Sequence, residues 1–362
     1  MNEHKFPYKW TLKDANFTKD KGKVFSCFAC GGGSTMGYKL AGFDVLGCNE
    51  IDPKMIEAYK ANHNPKYAYL EPIQTFKLRK DLPKELYELD ILDGSPPCSS
   101  FSMAGNREKD WGKDKVFREG QAMQVLDTLF FDFIDLAKEL QPKVVVAENV
   151  KGLLLGEAKS YVIEIYKQFD KAGYYCQHFL LNASKMGVPQ RRERVFFICL
   201  RKDLAKPFLY QQDMFTLSPL LKMFFNEKEI PFYHYDEVGI EVGEGNVYPS
   251  IKKMWERTEI GKEFYRDSGS KAISHYKLNP ANVLNTLIAS ESAGAYHWKH
   301  IRSLTKNENC LSGSYPLDYD FQENKSKYLI GMSVPPVMTA QIASNIYDQW
   351  LSKLSNNPDT NK

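Results

Sequence analysis

Four apolar residues in succession, Val144-Val145-Val146-Ala147, limit the fold of this chain more than any other stretch. A half-buried strand alternates polar and apolar residues. A strand apolar at every position must be covered on both faces, as in a parallel sheet between layers of helices. The flanks agree with that reading. Val125, Leu129, Phe133, Leu136 and Leu140 recur at helical spacing and predict a helix over 121–140, ended by Pro142. Upstream, a short strand over Val24–Phe28 leads through Ala29-Cys30-Gly31-Gly32-Gly33-Ser34 into a helical pattern from Thr35 to Ala41. A second strand, Asp44 to Asn49, ends at Glu50, and a helix is expected from Asp52 to Asn62. The alternation predicts an α/β fold with a mostly parallel sheet.

The alternation continues with a helix over Ser160–Ala172, a strand over Tyr174–Asn182 and a buried strand over Val195–Leu200, then stops near 201. Residues 205 to 300 are aromatic-rich and irregular, so a second domain is expected to begin there. The chain of 362 residues has room for two. The expected organisation is an arm over 1–22, a sheet domain over 23–204, an irregular domain over 205–328 and a segment over 329–354 returning to the first. Seven cysteines, mostly inside apolar runs, suit free thiols in a reducing cytosol. The start of the chain lacks the apolar core of a secretory signal, and no run approaches a membrane span, so a cytoplasmic protein is expected. A formal net charge of +3 does not by itself announce a nucleic-acid binder.

Three strand ends carry reactive side chains. The strand Leu89–Leu92 runs into Asp93-Gly94-Ser95-Pro96-Pro97-Cys98. Two prolines stop a strand abruptly, leaving Cys98 on a stiff loop at the sheet edge where α/β proteins bind ligands. It is a candidate nucleophile; the plainer alternative is a small apolar cysteine in a turn. Glu50 stands where a carboxylate accepts both ribose hydroxyls of an adenosine-type cofactor. Glu148 follows the valine run directly, in a partly desolvated setting that suits acid–base work; the alternative is the start of a helix. Gln190-Arg191-Arg192-Glu193-Arg194 then precedes a buried strand. That run reads either as a clamp on an anionic or carbonyl-bearing group or as a salt-bridged turn. Cys27-Phe28-Ala29-Cys30 is formally a CxxC, but no second pair completes a metal set. The charged, glycine-containing stretch 103–120 reads as a lid over Cys98 or as a solvated excursion.

Together these motifs resemble the DNA (cytosine-5)-methyltransferase family. Pro-Pro-Cys at 96–98, Glu-Asn-Val at 148–150, Gln-Arg-Arg-Glu-Arg at 190–194 and Gly-x-Ser-Val-Pro-Pro at 331–336 occur in the family's order, and the likeness runs from 24 to 354. The turn from Phe28 to Gly33 resembles the family's S-adenosylmethionine loop. Thr286-Leu287 resembles a pair in its target-recognition region, supported by Arg302-x-Leu-Thr.

The resemblance implies a Rossmann-like class I methyltransferase domain, with a smaller target-recognition domain over 205–328. It implies methyl transfer from S-adenosylmethionine to carbon 5 of a flipped-out cytosine. Cys98 would attack carbon 6 and Glu148 would contact the ring. Arg192 and Arg194 would hold its O2, and Ser102, Gln190 and Thr286 would touch the substrate. On the cofactor side it implies Phe28, Cys30, Gly31 and Gly33 around the methionine part and Glu50 at the ribose. Ile51 and Ile73 would flank adenine, with Pro97, Leu129, Ser333 and Val334 completing the pocket. Three positions depart from the family pattern: Cys30 replaces a glycine, Pro72 an acidic residue and Met332 an asparagine. Double-stranded DNA is the implied partner and the chain is expected to act as a monomer. The implied role is restriction–modification, with a cognate endonuclease encoded nearby, or phage DNA protection, acting at the nucleoid. A tRNA methyltransferase of the same architecture is the alternative, though its Cys-Phe-Thr tripeptide is absent here. The other is a catalytically inactive DNA- or cofactor-binding relative.

Overall fold

The computed structural model describes residues 4–97, 114–115, 124–125, 128–155, 158–211, 217–237, 249–265, 268–269, 271–290 and 294–355. Cys98, Ser102 and most of the expected 103–120 lid lie outside them. Contacts divide the chain into two units, one of residues 16–181, 193–224 and 339–362, the other of 1–15, 182–192 and 225–338. Residues 205–224 thus group with the large sheet and 329–338 with the smaller unit, where the sequence reading drew its lines at 205 and 329.

The larger unit is built on a seven-stranded sheet. Its strands are β1 (Lys23–Cys27), β2 (Asp44–Glu50), β3 (Tyr67–Leu70), β4 (Ile91–Gly94), β5 (Val144–Val150), β6 (Tyr174–Asn182) and β7 (Glu193–Arg201). They lie in the order β3-β2-β1-β4-β5-β7-β6. The ladders β2–β3, β1–β2, β1–β4 and β4–β5 are parallel, whereas β5–β7 is antiparallel. The helices are α1 (Gly33–Leu40), α2 (Pro53–His63), α3 (Ile73–Phe76), α4 (Leu129–Leu140) and α5 (Ala158–Lys171). The valine run is covered on both faces: Val144, Val145, Val146 and Ala147 are all buried. On one face Phe25, Cys27, Leu92, Val145, Ala147, Val195 and Phe197 pack with Phe130, Phe133, Leu136 and Leu140 of α4 and Ile165 and Phe169 of α5.

Local sequence explains the element ends. Asp52 caps α2 by accepting from the backbone N–H groups of Lys54 and Met55, and Pro53 opens the helix where no N–H is needed. Helix α4 starts at Leu129 rather than at 121, and Gln124–Val125 instead pairs antiparallel with Asp114–Lys115. Asp127-Thr128 interrupts the apolar period with residues that favour helix starts over interiors. After β5 the chain makes one 3-10 turn, Lys151–Leu154, before α5. The closing helix is Pro336–Ile346, continued by a π turn over Tyr347–Leu351 and a short helix over Ser352–Ser355.

The smaller unit holds a three-stranded sheet of Glu263–Tyr265, Lys271–Lys277 and Gly294–Tyr296 with short helices, and polar contacts join its loops. Arg302 forks onto both oxygens of Glu308 at 2.7 and 2.8 Å, and Glu308 completes a capping box with Thr305. Asp236 accepts from the ring N–H of Trp298 at 2.6 Å and lies 2.7 Å from Nε2 of His297. Nδ1 of His297 accepts from the backbone of Lys299 and His300, so Nε2 carries the proton donated to Asp236. Lys277 lies over the ring of Trp255, its Nζ 3.6 Å from the centroid.

Candidate active site

The carboxyl ends of β1, β2, β4 and β5 place four of the sequence-predicted segments on one edge of the larger unit. The first is the turn after β1. Phe28, Cys30 and Gly32 all have left-handed backbone, at φ 52°, 49° and 85°. A non-glycine residue there costs roughly 1–2 kcal/mol, so the surrounding contacts must impose this loop. Its tightness is local as well. A Cβ on Gly32 would lie 2.2 Å from Nε2 of His63, whose ring also hydrogen-bonds to the Gly31 carbonyl at 3.2 Å. Burial lowers the His63 pKa to about 3, so the ring is neutral and Nε2 donates to that carbonyl. The left-handed backbone at Cys30 accounts for the family's usual glycine at that position.

Glu50, at the end of β2, points its buried carboxylate at this turn. One oxygen accepts from the backbone of Cys30 at 2.7 Å, the other from Ile51 and Asp52 at 2.9 Å each. Burial raises its pKa and the three backbone donors oppose the rise. A carboxylate offers about four acceptor positions, so the group retains capacity for a further hydroxyl. That remaining acceptor position fits a ribose hydroxyl of an adenosine cofactor. Gly31 and Gly33 are buried, while Phe28, Cys30, Ile51 and Pro97 are partly exposed at the same edge. Ile73 and Leu129 are nearly fully buried, at the first residues of α3 and α4.

Strand register brings the second group together. Phe196 stands opposite Glu148 in the β5–β7 ladder, and Arg194 lies two residues before it, on the same face. Nε of Arg194 donates to Glu148 at 2.9 Å, with both side chains largely buried. Desolvation lowers the Arg194 pKa, against the attraction of Glu148. Asn149 makes two contacts. Its amide donates to the Pro96 carbonyl at 3.1 Å, and its side-chain oxygen accepts from the N–H of Val150. That contact fastens the loop two residues before Cys98.

Arg192 and Arg194 have separate partners. Arg192 belongs to the smaller unit and is 2% exposed. Its guanidinium donates to the carbonyls of Leu287 at 3.1 Å and Gly331 at 2.9 Å. Gln190 is fully buried, accepting from the N–H of Leu287 and donating to the Ser312 carbonyl. The structure gives both a bracing position where the sequence reading expected contact with the substrate. Such partners lie about 100 or more positions away along the chain, beyond the reach of local pattern. Thr286 donates its hydroxyl to the Arg191 carbonyl at 2.6 Å. Ser333 donates to the Leu329 carbonyl, and Val334 is buried.

Comparison with known proteins follows the same lines. The family model for C-5 cytosine-specific DNA methylase matches residues 22–348. The chain belongs to that family. It is 34% identical over 383 residues to Type II methyltransferase M.DdeI of Desulfomicrobium norvegicum, covering 89% of this chain and 88% of that one. To M.FnuDI of Fusobacterium nucleatum it is 38% identical over 183 residues, which span 50% of this chain and only 48% of the relative. Among solved structures, Spodoptera frugiperda DNMT2, as a mutant, superposes with a TM-score of 0.60 at 18% identity, covering 90% of this chain and 99% of that one. The S. pombe Dnmt2 methyltransferase gives 0.57 at 15% identity, covering 93% of this chain and 100% of that one. These likenesses establish a shared Rossmann-like fold. Among the described residues no helix is long and apolar enough to cross a membrane.

Proposed function

We propose that this protein methylates carbon 5 of cytosine in double-stranded DNA, with S-adenosylmethionine as donor and Cys98 as nucleophile. The observation that carries the reading is the Glu148–Arg194 pair beside a Pro-Pro loop that Asn149 fastens. Carbon 5 of cytosine is a weak nucleophile. Addition of the Cys98 thiolate to carbon 6 makes the ring an enamine with electron density at carbon 5. The bound cofactor supplies an electrophilic methyl group to that carbon. Loss of the carbon-5 proton then expels the thiolate and restores the ring, dividing one hard step into two easier ones.

Glu148 stabilises the ring at N3 and the exocyclic amine, and Arg194 fixes the carboxylate in place while facing the base's O2. Glu50 accepts from a ribose hydroxyl. Arg192 and Gln190 brace the smaller unit in this reading. Reaching these ring atoms requires extrusion of the base from the duplex. The irregular residues 225–338 supply target recognition, since loops reach base edges. The relatives' Type II designation supports a role in restriction–modification; a partner endonuclease and a cytoplasmic, nucleoid site of action go with that role in this reading. Methylation-sensitive sequencing of plasmid from an expressing host tests the substrate. The expected result is 5-methylcytosine at one short recurring sequence, absent with Cys98→Ala. Unmodified DNA together with modified host tRNA would overturn the DNA reading.

A further inference from the structure

Asp93 is a buried carboxylate with no part in the chemistry above. It is the third residue of β4 and is 4% exposed. In the β1–β4 ladder it stands opposite Ser26, whose hydroxyl donates to Oδ2 at 3.1 Å. The Tyr38 hydroxyl donates to Oδ1 at 3.2 Å, and Ser34 donates as well. Ser26 lies two residues before Phe28, and Ser34 directly follows Gly33. The carboxylate therefore grips both flanks of the 28–33 turn, which holds three left-handed residues. Four residues after Asp93 the chain reaches Pro97, so the same side chain sits at the root of the loop to Cys98.

We propose that Asp93 is a positioning residue for the cofactor: its ionised carboxylate, held by Ser26, Ser34 and Tyr38, clamps the glycine turn in the shape that S-adenosylmethionine binds. This rests on the cofactor reading above. An ionised carboxylate accepts all three hydroxyls, whereas the protonated form carries a donor of its own and must release part of that set. The clamp thereby ties cofactor affinity to pH. Burial pushes the Asp93 carboxyl up to about 7, the three hydroxyls opposing the rise and Glu148 adding to it. The titratable groups facing it are Cys27 of β1, Tyr38 of α1, Tyr59 of α2 and Glu148 of β5. Burial drives the thiol and both phenols far up, so they stay neutral near pH 7, and Glu148 is paired with Arg194.

The sign follows directly. The binding-competent ionised form predominates above pH 7 and is lost as pH falls through it. Calorimetric titration of S-adenosylmethionine into wild type, Asp93→Asn and Tyr38→Phe between pH 6 and 8 tests the clamp. Wild-type affinity should fall by about tenfold from pH 8 to pH 6, the loss of ionised form expected for a group titrating near 7. Asp93→Asn should lose that fall. Tyr38→Phe, which removes a donor to the ionised form, should move its midpoint to higher pH. The amine of the cofactor titrates nearby but contributes equally to all three proteins. Parallel affinity profiles, with only melting temperatures differing, would mean a structural role and overturn the inference alone. If Asp93→Asn fails to fold, an unmoved midpoint in Tyr38→Phe is decisive against it. Absence of binding at every pH would overturn the cofactor reading itself, and the inference with it.

Discussion

Arg192 and Arg194 are two residues apart and serve different units. Arg194, on β7, donates to a buried carboxylate. Arg192 donates to two backbone carbonyls, Leu287 and Gly331, that are brought to it from distant parts of the chain. One arrangement pairs a guanidinium with a largely buried carboxylate, which the proposed function puts to chemical use; the other ties together backbone from distant parts of the smaller unit. A guanidinium suits both tasks, because its fork of N–H groups satisfies a carboxylate or paired carbonyls equally well. The contrast separates reactivity from architecture within one motif.

Substitutions at two positions put the contrast at risk. The larger effect is expected from Glu148→Gln, which keeps the shape and an acceptor for Arg194 but removes the charge. Single-turnover methyl transfer should fall by roughly 10²–10³, the usual loss for one group that stabilises developing charge. Its denaturation midpoint should fall as well, because the amide leaves the largely buried Arg194 guanidinium without a counter-charge, so the rate is read on protein shown to be folded. A near-normal rate would move Glu148 from the chemistry to the scaffold. Arg192→Met should act on stability and leave the methyl-transfer rate of the folded protein near that of wild type. Leaving buried carbonyls without their donor costs about 1–3 kcal/mol for each such group, to be read from denaturant unfolding. Arg192→Lys should recover little, since an ammonium lacks the fork. Unchanged stability with lost methylation would return Arg192 to the base-binding role first expected of it.

The difference also shows what was legible in the sequence. Period and breakers located the sheet well: the strand expected over Tyr174–Asn182 has those bounds, and the valine run is doubly covered as its composition requires. Strand ends located Glu50 and Glu148, because a carboxylate after an apolar run is visible in one dimension. The start of α4 was misplaced because apolar spacing carried the reading through Asp127-Thr128, residues that break a helix more readily than they continue one. Arg192 and Gln190 looked identical in kind to Arg194, and only partners at 287, 312 and 331 distinguish them. Asp93 left a trace, a charge inside an apolar strand, but its three hydroxyl partners come from β1 and α1. Such a network exists only once the sheet register has set Ser26 beside it.

The central claim is that Cys98 bonds to the target base while Glu148 and Arg194 attend it. Duplex DNA bearing 5-fluorocytosine at the target site tests this most directly, because fluorine at carbon 5 cannot leave as the proton does. Wild-type protein with S-adenosylmethionine should form a denaturant-resistant adduct whose mass equals protein plus methylated oligonucleotide, mapping to the peptide containing Cys98. Cys98→Ala should bind the duplex and form none. An adduct formed equally by Cys98→Ala, or full methyl transfer by that variant, would contradict the account.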